Sequence, residues 1–221
     1  MKSIMRNLKL NSDKKARLIY MLLFMSACCC MLLLWRAAIC ERMGYLFLVW
    51  NLFLALIPLG FSYKLYRVYE SQRGRYFLIP ALGILWLLFF PNAPYIITDF
   101  IHLEPKDNIP MWFDAGILFS FALTALLSGL ISLYFIHELL SKLLKAFSWP
   151  VIIFLLFLSG YGVFLGRIRR WNSWDIVVNT KPLLVDSIQN LSNETAITIT
   201  CMFGFLLLIS YGIVRTLINE E

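Results

Sequence analysis

The chain predicts an all-α fold, a polytopic membrane helix bundle of about six transmembrane helices with both termini cytoplasmic. Three observations carry that prediction. Its 221 residues are 60% hydrophobic with a mean hydropathy of +0.74, where soluble domains are about 45–50% apolar. Six apolar runs are long enough, or nearly so, to cross a hydrocarbon core of ~30 Å. Lys and Arg cluster on alternate sides of those runs, as the positive-inside rule requires of a spanning protein. The whole of residues 1–221 reads as a single integral membrane domain.

The first span is expected near 18–35. It contains Cys28, Cys29 and Cys30 and stays apolar beyond them, so it reads as a retained helix rather than a cleaved leader. The remaining cysteines, Cys40 and Cys201, complete no CxxC pattern, and a structural metal site is not expected. The second span, near 44–63, contains Asn51 and Pro58, which read as a helix–helix hydrogen bond and a kink. The third, near 76–90, is short unless the following PNAPYII adds depth to it. The fourth, near 113–136, has Ser120, Thr124 and Ser128 at four-residue spacing. The fifth, near 149–166, has Gly162 and Gly166. Such small residues let helices approach closely in lipid. The sixth is expected near 196–217. Residues 181–191 can form an amphipathic helix on the external membrane surface, with Leu184, Ile188 and Leu191 on one face.

Thirteen Lys and Arg fall on one side of this arrangement and seven on the other, among them Arg36, Arg42 and Lys106. Both termini therefore face the cytoplasm. The net charge of +7 is accounted for by orientation, and nucleic-acid binding is not expected because no basic segment with interleaved aromatics is free of the membrane. Arg73 counts with the cytoplasmic loop. His137, beside Glu138, reads as a solvated cytoplasmic helix end.

Two segments on the external side stand out. In PNAPYIITDFIHL, two prolines three residues apart interrupt a membrane-grade run, and the freed backbone groups must be satisfied by protein or a wet cavity. As a helix from Pro94 onward, it sets Tyr95, Asp99 and His102 on one face. A carboxylate beside an imidazole suits a general base, or a ligand if a metal is present. Asn92 belongs to the same segment. An acidic loop follows with Glu104, Asp107 and Asp114, offering oxygen ligands to a hard cation or simply opposing wrong-way insertion. Asp114 also suits the first turn of the fourth span.

The second segment is GRIRRWNSWD, residues 166–175. If the fifth span continues as a helix, Arg167, Arg170, Trp171 and Trp174 share a face. Asn172 and Asp175 have capping-box-like spacing. Arginine forks match phosphate and indoles pack on sugars or headgroups.

PNAPYIITDFIHL, PMWFDAGI and GRIRRWNSWD, in that order, resemble the bacterial membrane family catalogued as domain of unknown function 1361. The resemblance runs over nearly the whole chain. It implies a polytopic protein of the bacterial cytoplasmic membrane, and it brings no activity or cofactor. The residues alone point to an external polar site that binds an anionic envelope lipid or a lipid-linked sugar phosphate. Arg167 and Arg170 would hold the phosphate and Trp171 and Trp174 would pack beside it. The alternatives are a membrane transferase or hydrolase using Asp99 and His102, a small-solute transporter, or an assembly partner of another membrane protein.

Overall fold

The computed structural model describes residues 2–40, 44–71, 75–104 and 110–220. Arg42, Arg73, Lys106 and Asp107, used in the charge reading, lie outside the described residues. The described chain is helical throughout, in the order α1 (Lys2–Cys40), α2 (Phe47–Ser71), α3 (Arg75–Phe89), α4 (Asn92–Tyr95), a 3₁₀ segment (Ile96–His102), α5 (Met111–Leu144), a 3₁₀ turn (Lys145–Phe147), α6 (Ser148–Arg167), α7 (Asp175–Val178), α8 (Thr180–Gln189) and α9 (Glu194–Glu220). Among the described residues, five helical stretches are long and apolar enough to cross a membrane. One of them, Met111–Arg167, contains two helices, because the chain turns at Lys145, whose φ is 51°. Gly129 and Gly162, at similar distances on either side of that turn, meet the neighbouring residues Ala93 and Pro91. α5 and α6 therefore run antiparallel.

Helix α5 is the hub. Every residue from Ser128 to His137 is buried, the pattern of a helix apolar all round and surrounded by others. On α2, Leu48, Leu52, Ala55, Leu59, Ser62 and Tyr66 are buried, a three-and-four spacing that puts one stripe against α5. Of the small-residue stripe on α5, Thr124 and Ser128 face its neighbours, while the Ser120 hydroxyl bonds back to Gly116 of its own helix. Thr124 meets the Cys29 sulfur of α1 at 3.3 Å, and Ser128 reaches the Ala55 carbonyl of α2 at 3.5 Å. α6 pairs with α9 through close approaches: a Cβ on Gly160 would lie 2.6 Å from the Thr200 carbonyl oxygen, and one on Gly204 2.6 Å from the Phe157 ring.

Helix α3 has 15 residues, about 22 Å at 1.5 Å per residue, which falls short of a bilayer core. The PNAPY segment makes up the depth, and 76–102 counts as one stretch. It does not continue as α-helix from Pro94. One turn of α-helix gives way to 3₁₀ winding at Ile96, which eclipses residues three apart and moves Tyr95 off the line of Asp99 and His102.

Two further readings are corrected. His137 is not a solvated helix end but fully buried, its Nδ1 2.7 Å from the Tyr211 hydroxyl and 2.5 Å from Arg215. Those partners lie on α9, far along the sequence. The fifth span does not continue as a helix through Trp174. It ends at Arg167, and Arg170 takes a positive φ of 61°, which turns the chain and separates Arg167 from Arg170, Trp171 and Trp174. The glycine pair of α6 does admit a close neighbour, and that neighbour is the proline break. A Cβ on Gly162 would sit 2.6 Å from Pro91, and one on Gly166 would sit 3.2 Å from the Tyr95 ring.

Candidate functional site

The proline break is held in place by shape first. Ala93 and Pro94 are buried, and Gly129 of α5 and Gly162 and Gly166 of α6 leave the room that Ala93, Pro91 and Tyr95 fill. Pro91 and Pro94 carry no N–H, so the tight turn strands fewer donors. The Ala93 and Tyr95 amides donate to the Phe90 and Pro91 carbonyls.

Charge then fastens it. Arg167, the last residue of α6, donates from Nη2 to Asp99 Oδ1 and from Nε to Thr98 Oγ1 at 2.6 Å. Its guanidinium lies over the Tyr95 ring, 4.4 Å from the centroid. Asn51 of α2 donates to the other Asp99 oxygen at 2.8 Å, which is the helix–helix hydrogen bond expected of it. Asp99 is 1% exposed. One buried carboxylate thus joins α2, the 3₁₀ segment and α6.

The sequence-predicted residues divide into several groups. Tyr95, Asp99 and Arg167 come together. His102 does not join them: it is exposed, and its ring lies edge-on to Phe47 at 5.0 Å while its carbonyl accepts from Tyr45 at 3.1 Å. Asp114 lies in the first turn of α5, as read, and receives a bidentate pair from Arg36 of α1 at 2.6 and 2.9 Å. Tyr45 covers that guanidinium at 4.5 Å. Among the described residues, no three His, Cys, Asp or Glu side chains are grouped to hold a metal ion.

The GRIRRWNSWD loop folds back on α8. Arg169 pairs with Asp186, and the Trp171 indole donates to the same carboxylate at 2.7 Å. These donors hold the Asp186 carboxyl below its usual range, the Arg169 guanidinium contributing most. Asp175 caps the loop. It accepts the Asn172 backbone N–H at 2.7 Å and the Asn179 amide at 3.0 Å, which lower its pKa in that order. The capping-box spacing is realised in that Asp175 reaches back to Asn172. Arg170 and Asn172 are exposed. The amphipathic stretch forms α8, which ends at Gln189 and leaves Leu184 and Ile188 exposed, with Leu191 exposed in the turn beyond it.

The two segments share one cavity of about 370 Å³. Aliphatic side chains, among them Leu54, Leu87, Leu158 and Leu165, line it together with Asn92, Tyr95, Trp171, Asn172 and Trp174. Asn92 crosses between the segments, donating to the Phe89 carbonyl at 2.9 Å and to Ser173 Oγ at 3.0 Å. Asp99, His102, Asp114, Arg167, Arg170 and Asp175 do not line it. Sequence reasoning missed Trp50, Tyr161, Ser173, Thr98, Arg36 and Asp186. A buried polar residue in an apolar span needs a partner, and that rule could have joined Asn51 to Asp99. Nothing local marks Tyr161, whose hydroxyl donates to the Ser187 carbonyl at 2.5 Å.

Residues 50–210 match the model of the family described as Protein of unknown function (DUF1361). No curated protein and no solved structure matches the chain. The matched region contains the proline break, the arginine anchor and every residue lining the cavity, and this membrane-grade helical chain belongs to the DUF1361 family.

Proposed function

We propose that the chain is a six-span protein of the bacterial cytoplasmic membrane with both termini inside, and that its cavity, facing outward, binds a membrane lipid or a lipid-linked envelope precursor. The observation that carries the reading is a cavity whose lining combines aliphatic side chains with amides, hydroxyls and indoles. That combination matches an amphipathic molecule, and the volume of about 370 Å³ is within the range of small-molecule sites. The charge asymmetry supports the orientation. α8, with its exposed apolar side chains, suits the membrane surface beside the opening.

The role first expected of Arg167 changes. Its guanidinium is already engaged by Asp99, Thr98 and Tyr95, so it braces the site instead of gripping a phosphate. An anionic ligand would rely on Arg170, which is exposed and outside the cavity lining. A transferase or hydrolase built on Asp99 and His102 has no support in the geometry, since the two side chains have different partners.

Leu158→Trp tests the reading. The added ring would project into the cavity that Leu158 lines. The wild type, purified from its membrane and analysed by native mass spectrometry, should carry one lipid-mass adduct that the variant loses while its helicity is unchanged. Equal adducts on both proteins would sink the proposal.

A further inference from the structure

Resting on that lipid-binding reading, we infer that the cavity selects an uncharged, hydroxyl-rich headgroup, a glycosyl lipid, over a phosphate-bearing one. No Asp, Glu, Lys, Arg or His is among its described lining residues. The polar side chains there are amides, hydroxyls and indoles. Of the nearby charges, Asp99 pairs with Arg167 and Asp186 with Arg169, while Arg170 is exposed and lies outside the lining. Asp175 is occupied by Asn172 and Asn179.

The unused valences complete the case. Asn92 spends its amide N–H groups on Phe89 and Ser173, which leaves its carbonyl oxygen as an acceptor toward a ligand. Tyr95 lines the cavity and its hydroxyl makes no hydrogen bond to a described residue; that hydroxyl can donate and accept. A sugar hydroxyl also does both, so it satisfies each group. A phosphate oxygen only accepts. It would confront the Asn92 oxygen and shed its hydration with no cation in the cavity lining to replace it, which is costly. Trp171 and Trp174 offer the flat apolar faces on which a sugar's C–H surface packs.

The test uses the full chain in neutral detergent with three dioleoyl probes: monoglucosyl-diacylglycerol, phosphatidylglycerol and phosphatidylethanolamine. Native mass spectrometry under pairwise competition reads occupancy. Monoglucosyl-diacylglycerol should win by roughly tenfold, the worth of about one further hydrogen bond and one stacking contact. Trp174→Ala with Asn172→Ala, both at exposed positions, should remove that advantage while circular dichroism stays unchanged. Tyr95→Phe should weaken the glucosyl lipid alone. Phosphatidylglycerol binding as well as or better than the glucosyl lipid overturns the headgroup inference and leaves the lipid site standing. Binding of none of the three above the level of Leu158→Trp overturns both.

Discussion

Replacing Asp99 by Asn, Arg167 by Gln, and both together measures how far the end of α6 is bound to the proline break. Asp99 is 1% exposed and the Arg167 side chain 17%, so neither charge has bulk water to fall back on. Removing one partner of a buried pair costs about 3–5 kcal/mol, most of it from the charge left behind. Asp99→Asn should cost about 3 kcal/mol, at the lower end, because Thr98 and the Tyr95 ring still hold Arg167. Arg167→Gln should cost more. It strands Asp99 with only the Asn51 bond and forfeits a cation–π contact worth about 0.5–2 kcal/mol. The double variant should fall short of the sum of the two by about 1–3 kcal/mol, since each single change destroys the same interaction. Unfolding by sodium dodecyl sulfate in mixed micelles, followed by circular dichroism, gives the three values. Single losses under about 1 kcal/mol, or additivity within about 0.5 kcal/mol, would refute the bracing role.

Two further outcomes follow from the same geometry. Gly162→Ala should destabilise by about 1–3 kcal/mol, the usual range for overpacking, because its Cβ meets the rigid Pro91 ring at 2.6 Å; Gly60→Ala, with nothing within 4 Å, should not, and equal effects in the micelle unfolding assay would remove the seat ascribed to Gly162. Asp186, held below 3.8 chiefly by Arg169, contributes stability above the unfolded carboxyl pKa that is lost as pH falls through the folded one. Acrylamide quenching of Trp171, in a chain whose other tryptophans are Phe, should therefore stay low through the ordinary carboxyl range and rise only below it. Asp186→Asn should show the raised quenching at neutral pH; a variant quenched no more than the wild type would contradict the tie.

Much of this architecture is written in composition. Apolar runs and charge flanks are properties of whole segments, so the helices declare themselves in the sequence. The proline break is also legible, because Pro91 and Pro94 remove donors wherever they fall. Its seat is not: Gly162 and Gly166 look like any helix-packing pair until Pro91 and Tyr95 arrive from a distant segment. The α-to-3₁₀ change at Ile96 escaped notice for a related reason. Helical spacing is read by assuming one winding, and the Arg167 contacts to Thr98 and Asp99 favour another register. His137 shows the limit of local reading. Beside Glu138 near a helix end it looks solvated, yet Tyr211 and Arg215 of α9 enclose it. The end of α6 at Arg167 is equally hidden, for nothing in RIRRW announces the positive φ at Arg170. The convergence of the two segments follows from topology, whereas the neutral character of the cavity lining depends on which residues the fold turns toward it.

Cryo-electron microscopy of the full chain in nanodiscs made from its own membrane lipids tests the binding reading most directly. Elongated density should run from Leu87 and Leu158 to a head between Asn92, Tyr95 and Trp174. A cavity that contains only water, or one closed by Trp171 and Trp174 packing against Pro91, would contradict it.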